Sequence, residues 1–182
     1  MIPVEYLWLT LIGVFGIVGM VRGLWKELGV TTILLLSVFV LRFGWEMVGS
    51  KIISVVPGNM PEATVQALYY IIPIVFITYI AYEGVTLKFP IKEMTGIAKG
   101  LFGLPGGLLN GYLVVGTIWD ASNKANYFGF KVPFGSTGDF IAISDSLTPL
   151  GKTLVQYLPV TFVNEYVMLV LGMILLLAII LK

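Results

Sequence analysis

Cysteine and histidine are both missing from the 182 residues, and only 12% of the chain is charged. Without cysteine there can be no disulfide, no thiol redox chemistry and no thiolate ligand for zinc or an iron–sulfur cluster. Without histidine the usual axial ligand of haem or of a chlorophyll-type pigment is gone, and so is nucleophile activation of the Ser-His-Asp kind. The expectation is a chain with no catalytic residues, no metal ligands and no cofactor of its own. Runs of Lys or Arg are lacking too. With 11 basic and 10 acidic residues the formal charge is +1, so the basic footprint of a nucleic-acid or anionic-lipid binder is absent.

Apolar residues, by contrast, make up 58% of the chain, and the mean hydropathy is +0.96. Several stretches approach the roughly 20 apolar residues needed to cross hydrocarbon. They predict an all-α membrane protein, a single integral membrane domain over 1–182 with spans near 2–21, 28–43, 65–87, 97–119 and 160–181. The first run has no basic segment before it and no small-residue cleavage site after it, so it reads as a retained helix. Arg22 to Glu27 reads as a tight turn between the first two spans, and Pro57-Gly58-Asn59 as the turn after the second. Tyr69, Tyr70, Tyr79 and Tyr82 are spaced as an interfacial aromatic belt, with a kink expected at Pro73. Asp120 marks the end of the fourth span. The segment 120–159 is richer in Asn, Ser, Thr, Gly and Pro and reads as a structured loop. Within it Phe140, Ile143, Leu147, Leu150 and Leu154 are close to helical spacing, which predicts an interfacial helix or helix pair broken at Pro149. The fold expected is thus a bundle of four to five transmembrane helices with an interfacial helix before the last.

Orientation follows from the density of basic residues in short loops. Arg22, Lys26, Lys88, Lys92, Lys99 and Lys182 fall on one side. Arg42, Lys51, Lys124, Lys131 and Lys152 fall on the other, diluted among Glu46, Glu62, Asp120, Asp139 and Asp145. This places the N-terminus outside and the C-terminus inside.

Glycine supplies the strongest periodic signal. Gly103, Gly107 and Gly111 recur every four residues in the fourth span, and Gly13, Gly16, Gly19 and Gly23 keep small residues along one face of the first. In lipid such faces let two backbones approach and pack by dispersion. The partner is either another chain or this chain's own bundle, the two glycine faces meeting each other. Among charges, Glu83 is the intramembrane candidate, and an ion pair with Arg22, Lys26 or Lys88 is its expected role in preference to proton transfer. Asn110 could bond across helices for about 1 kcal/mol. Gly103-Leu-Pro-Gly-Gly lacks the Lys-Ser/Thr of a phosphate loop. The glycine face of the fourth span is therefore expected to matter more than any charged residue.

Gly19-Met20-Val21-Arg22-Gly23-Leu24-Trp25-Lys26-Glu27-Leu28 resembles the first-hairpin signature, G-x-x-R-G-x-x-x-E-L, of the colicin V production protein family of small bacterial inner-membrane proteins. Glu5 stands where that family often has an aspartate, and Lys99 through Gly111 is similar to its glycine-rich entry into the fourth helix. The resemblance spans about 2–119 and singles out Arg22, Gly23 and Glu27. Asn110 departs from it, occupying a place where the family often has Arg or Lys. The acidic residue usually found before the Lys99 position is missing, and a fifth span is added. The resemblance implies location in the bacterial inner membrane and a role in toxin production or export, without supplying a reaction.

The reading is a non-catalytic membrane protein that works through helix–helix contacts in assembly or export. Its expected partners are the lipid bilayer and other integral membrane subunits or itself, with no nucleic acid. The alternatives are an accessory subunit of a larger respiratory or photosynthetic membrane complex, and a small transporter or channel lined by Glu83, Asn110 and Asp120.

Overall fold

The computed structural model describes residues 3–56, 58, 60–84, 87, 89, 94–134 and 139–181. Pro57, Asn59, Lys88, Lys92, Glu93 and Lys182 lie outside the described residues, and with them part of the expected turn and basic segments. Four helices are long and apolar enough to cross a membrane: α1 (Val4–Arg22), α2 (Leu24–Val55), α3 (Glu62–Glu83) and α4 (Gly96–Lys124). The architecture is that of an all-α membrane protein with a short hairpin and several short helices after α4.

The turn between α1 and α2 is a single residue. Gly23 has φ +89° and ψ 158°, a region almost reserved for glycine, and its N–H donates to the Gly19 carbonyl to close α1. Because the break is so short, α2 begins at Leu24, not Leu28, and takes Lys26 and Glu27 into its first turn. It also continues through Arg42, Glu46 and Lys51 to Val55. Its 32 residues extend about 48 Å, well beyond the roughly 30 Å of hydrocarbon. The helices α3 and α4 run without interruption through Pro73 and Pro105.

Helix α4 is the centre of the bundle and packs against α1, α2 and α3. The glycine faces of α1 and α4 meet. A Cβ on Gly107 would strike the Phe15 carbonyl and lie 2.9 Å from the Gly19 Cα, and one on Gly103 would strike the Gly19 carbonyl and lie 3.0 Å from the Gly23 Cα. Gly111 continues the seam against Ile12 and Phe15, and Gly16 against Leu104 and Leu108. Gly13 does not belong to it, since a Cβ there would meet nothing within 4 Å.

After α4, Asn126, Tyr127 and Phe128 have φ of 48°, 50° and 57°, three successive left-handed residues without glycine's freedom. The chain then forms a hairpin, β1 (Lys131–Phe134) against β2 (Asp139–Ala142), with Val132 opposite Ile141 and Pro133 opposite Phe140. Asp139–Ala142 is therefore strand where helix was expected. Helical turns follow as α5 (Ile143–Ser146), α6 (Pro149–Gln156) and α7 (Pro159–Phe162). Pro149 opens α6 at a position where its missing N–H costs nothing, and Thr148 caps it by accepting from the Gly151 N–H.

The expected fifth span is broken. Val163 and Asn164 separate α7 from α8 (Glu165–Ile180), where Asn164 accepts the Tyr166 N–H as cap. The freed carbonyls of Val160 and Val163 accept from Arg42 Nη1 at 2.8 and 3.1 Å, and Arg42 Nε pairs with Glu165 Oε2 at 2.9 Å. The 16 residues of α8 rise about 24 Å, short of a full hydrocarbon crossing. It packs on α2, with Gly172 against Leu35 and Leu36.

Candidate functional site: a buried carboxylate network

Placing Glu27 in the first turn of α2 buries it completely. A carboxylate there is stable only if its oxygens are hydrogen-bonded and its charge is paired, and three other helices supply the donors. Arg22, the last residue of α1, reaches across Gly23 so that its Nε donates to Glu27 Oε1 at 2.8 Å. The Tyr82 hydroxyl, on the last turn of α3, donates to Oε2 at 2.9 Å. Asn110, in the middle of α4 and fully buried, donates through Nδ2 to Oε2 at 2.8 Å and to the Glu27 carbonyl at 3.0 Å.

The supporting contacts close the network. Arg22 Nη1 donates to the Tyr82 carbonyl at 2.9 Å, and the guanidinium lies 4.6 Å from the Tyr82 ring centroid, a cation–π distance. The Thr31 hydroxyl lies 2.7 Å from Asn110 Oδ1 and 2.9 Å from the Glu27 carbonyl, its one proton serving either. The Tyr82 ring also meets Phe15 edge-on, with centroids 5.6 Å apart. Four helices thus converge on one carboxylate.

This outcome reassigns several sequence expectations. Glu83 is exposed at the end of α3, and Arg22 pairs with Glu27 instead. Tyr82 is a donor to a buried charge and not a member of an outward belt. Asn110 is the fourth helix's contribution to the centre. Arg22, Gly23 and Glu27, the residues singled out by resemblance, are brought together by the one-residue turn. Thr31 gave no signal, because a Thr in an apolar helix ordinarily bonds its own i−4 carbonyl.

Two further buried polar sites lie toward the other end of the bundle. Asp120 does not end α4: its carboxylate accepts from Thr161 Oγ1 at 2.6 Å and from Lys124 Nζ at 2.7 Å, and the helix runs on to Lys124. Glu5, fully buried in the first turn of α1, accepts through Oε1 from the Thr148 N–H at 3.1 Å and from the Thr148 hydroxyl. Its Oε2 and the indole Nε1 of Trp8 are buried without a partner among the described residues. Trp8 stacks on Trp119, whose own Nε1 donates to the Tyr127 hydroxyl at 2.9 Å. Burial pushes the Tyr127 phenol up from its ordinary pKa, against the lowering effect of the Trp119 bond and helped by Glu5.

No cluster of three or more acidic side chains able to hold a metal ion occurs among the described residues. The Glu27 arrangement joins four helices: among the described residues the carboxylate accepts from Arg22, Tyr82 and Asn110, and the Thr31 hydroxyl lies within donating distance of the Asn110 carbonyl oxygen. Compared with known proteins, the chain matches no family model, no curated protein and no solved structure.

Proposed function

We propose that this chain is a non-catalytic, multi-pass protein of the bacterial inner membrane. On this reading it acts through helix–helix contacts in assembly or export, in the manner of the colicin V production proteins it resembles. The observation that carries this reading is the closure of the Glu27 network. The strongest polar constellation in the bundle is consumed in joining α1, α2, α3 and α4, leaving an apolar exterior for contact with lipid and other helices. The N-terminus lies outside, and the turn at Gly23 and the start of α4 face the cytoplasm, as the density of basic residues requires. The described part of the segment after α4 lies outside, its short helices at the interface, and α8 lies against α2 as a shorter fifth membrane segment.

Reconstitution tests the mode of action. Purified protein in liposomes should pass no ions above the level of empty vesicles, while cross-linking in native membranes should give a stoichiometric complex with itself or another integral protein. Ion flux from the purified chain overturns the reading. A transporter is the second reading, favoured by the unpartnered Glu5 Oε2 at the other end of α1. Topology is tested on the cysteine-free background by labelling Lys152→Cys and Thr95→Cys with an impermeant reagent in intact cells. Labelling of the first and protection of the second is expected, and the converse reverses the orientation.

A further inference from the structure

Helices α1 and α3 each pack on α4 but scarcely on one another. Between them lies a groove of about 380 Å³, its walls formed by Val14, Phe15 and Val18 of α1 and Thr78 and Tyr79 of α3, and one end by Arg22, Tyr82 and Glu83. We propose that this groove binds one membrane phospholipid whose head group carries a primary amine. An acyl chain lies along Val14 and Val18, the phosphate meets Arg22, and the ammonium meets Glu83.

The dimensions fit a lipid of one leaflet. From Val14 to Arg22 the helix rises about 12 Å, close to half of the roughly 30 Å hydrocarbon core. The charged end coincides with the last residues of both helices, Arg22 and Glu83, where a head group would be. The charges select among head groups. The Arg22 side chain is one-fifth exposed, at 20%, and its Nε and Nη1 serve Glu27 and the Tyr82 carbonyl, which leaves Nη2 to offer an N–H to a phosphate. Its positive charge, however, is already balanced by Glu27. Glu83 is exposed and forms no ion pair among the described residues. The lining itself sums to zero, Arg22 against Glu83, but Arg22 is already paired with the buried Glu27, so Glu83 carries the uncompensated charge at this end, which favours a zwitterionic amine lipid over an anionic one. A primary ammonium adds N–H donors that a quaternary choline lacks. A second groove of about 350 Å³, between α2 and α3 and lined by Ile52, Leu68 and Ile72 among others, has no charged residue in its walls and serves as an internal contrast.

Native mass spectrometry of the detergent-purified chain, equilibrated with equal parts of phosphatidylethanolamine, phosphatidylcholine and phosphatidylglycerol of matched chains, tests this. The expected result is one tightly retained lipid, with phosphatidylethanolamine preferred by about 5-fold, the upper range for one part-exposed ion pair. Glu83→Gln should bring phosphatidylethanolamine down to the level of phosphatidylcholine while leaving the fold intact. Val18→Trp, which fills the groove, should remove the tightly held lipid of every class. Equal retention of the three lipids, a preference for phosphatidylglycerol, or an undiminished preference in Glu83→Gln each overturns the proposal.

Discussion

Glu27 and Glu5 are the same residue type, both fully buried near helix ends, yet the molecule treats them differently. Glu27 receives a guanidinium, a phenol and a carboxamide from three helices. Glu5 receives one threonine from the cap after α4, on a single oxygen, while the other has no partner among the described residues. The first carboxylate joins the membrane helices to one another, and the second joins α1 to the cap helix α6. The difference lies in how many separate elements stop being held together when the group is removed.

The largest effect should follow from Glu27→Gln, which leaves Arg22 without its counter-charge inside the bundle. Loss of one partner of a buried pair costs about 3–5 kcal/mol, read as a large fall in the melting temperature in detergent. Replacing both partners, Arg22→Met with Glu27→Leu, should recover part of that loss. A single variant as stable as the parent would mean that the network contributes nothing to cohesion.

Gly107→Leu comes next, because its side chain would enter the seam between the α1 and α4 backbones. Overpacking there should cost about 3 kcal/mol, toward the upper range of 1–3. Gly13→Leu has open space around it and should change stability by less than about 0.5 kcal/mol. Equal losses at the two glycines would break the account of the seam. Thr148→Ala, which removes both the α6 cap and a bond to Glu5, should cost about 1 kcal/mol and loosen the cap to proteolysis before the bundle melts. If it melts the bundle directly, the two carboxylates are not distinct in the way described. Asp145→Asn, exposed in α5, should stay within about 0.5 kcal/mol of the parent.

The helical, membrane-spanning character was legible because length and apolarity alone decide it. So was the meeting of the α1 and α4 glycine faces, since a four-residue period is a local signal. The centre of the molecule was not. The partners of Glu27 on α3 and α4 lie 55 and 83 residues away, and no spacing encodes which helices will converge. Sequence favours Glu83 over Glu27 as the intramembrane charge because a charge reads as the end of a span. A carboxylate met by internal donors does not end a helix, and for that reason α2 starts at Leu24 and α4 runs past Asp120. The expectation that the fourth-span glycines outweigh every charged residue is tested by comparing Gly107→Leu with Glu27→Gln, where the larger loss is expected at Glu27. The break before α8 is not legible in the apolar run 160–181, because the freed carbonyls of Val160 and Val163 are satisfied by Arg42 on α2, more than a hundred residues away.

The distance in sequence between Glu27 and Asn110 also has a consequence for how the chain is made. Asn110 is added 83 residues after Glu27, so at a synthesis rate of roughly 5–20 residues per second Glu27 waits roughly 4–17 s for its last donor. During that interval the first hairpin is in place with a carboxylate that has Arg22 beside it and neither Tyr82 nor Asn110. Such a hairpin is a half-built socket, and it is expected to stay near the insertion machinery until the fourth helix arrives. A ribosome stalled before residue 110 should therefore leave a nascent chain that cross-links to the translocation apparatus, and one stalled well beyond it should leave a chain that has let go.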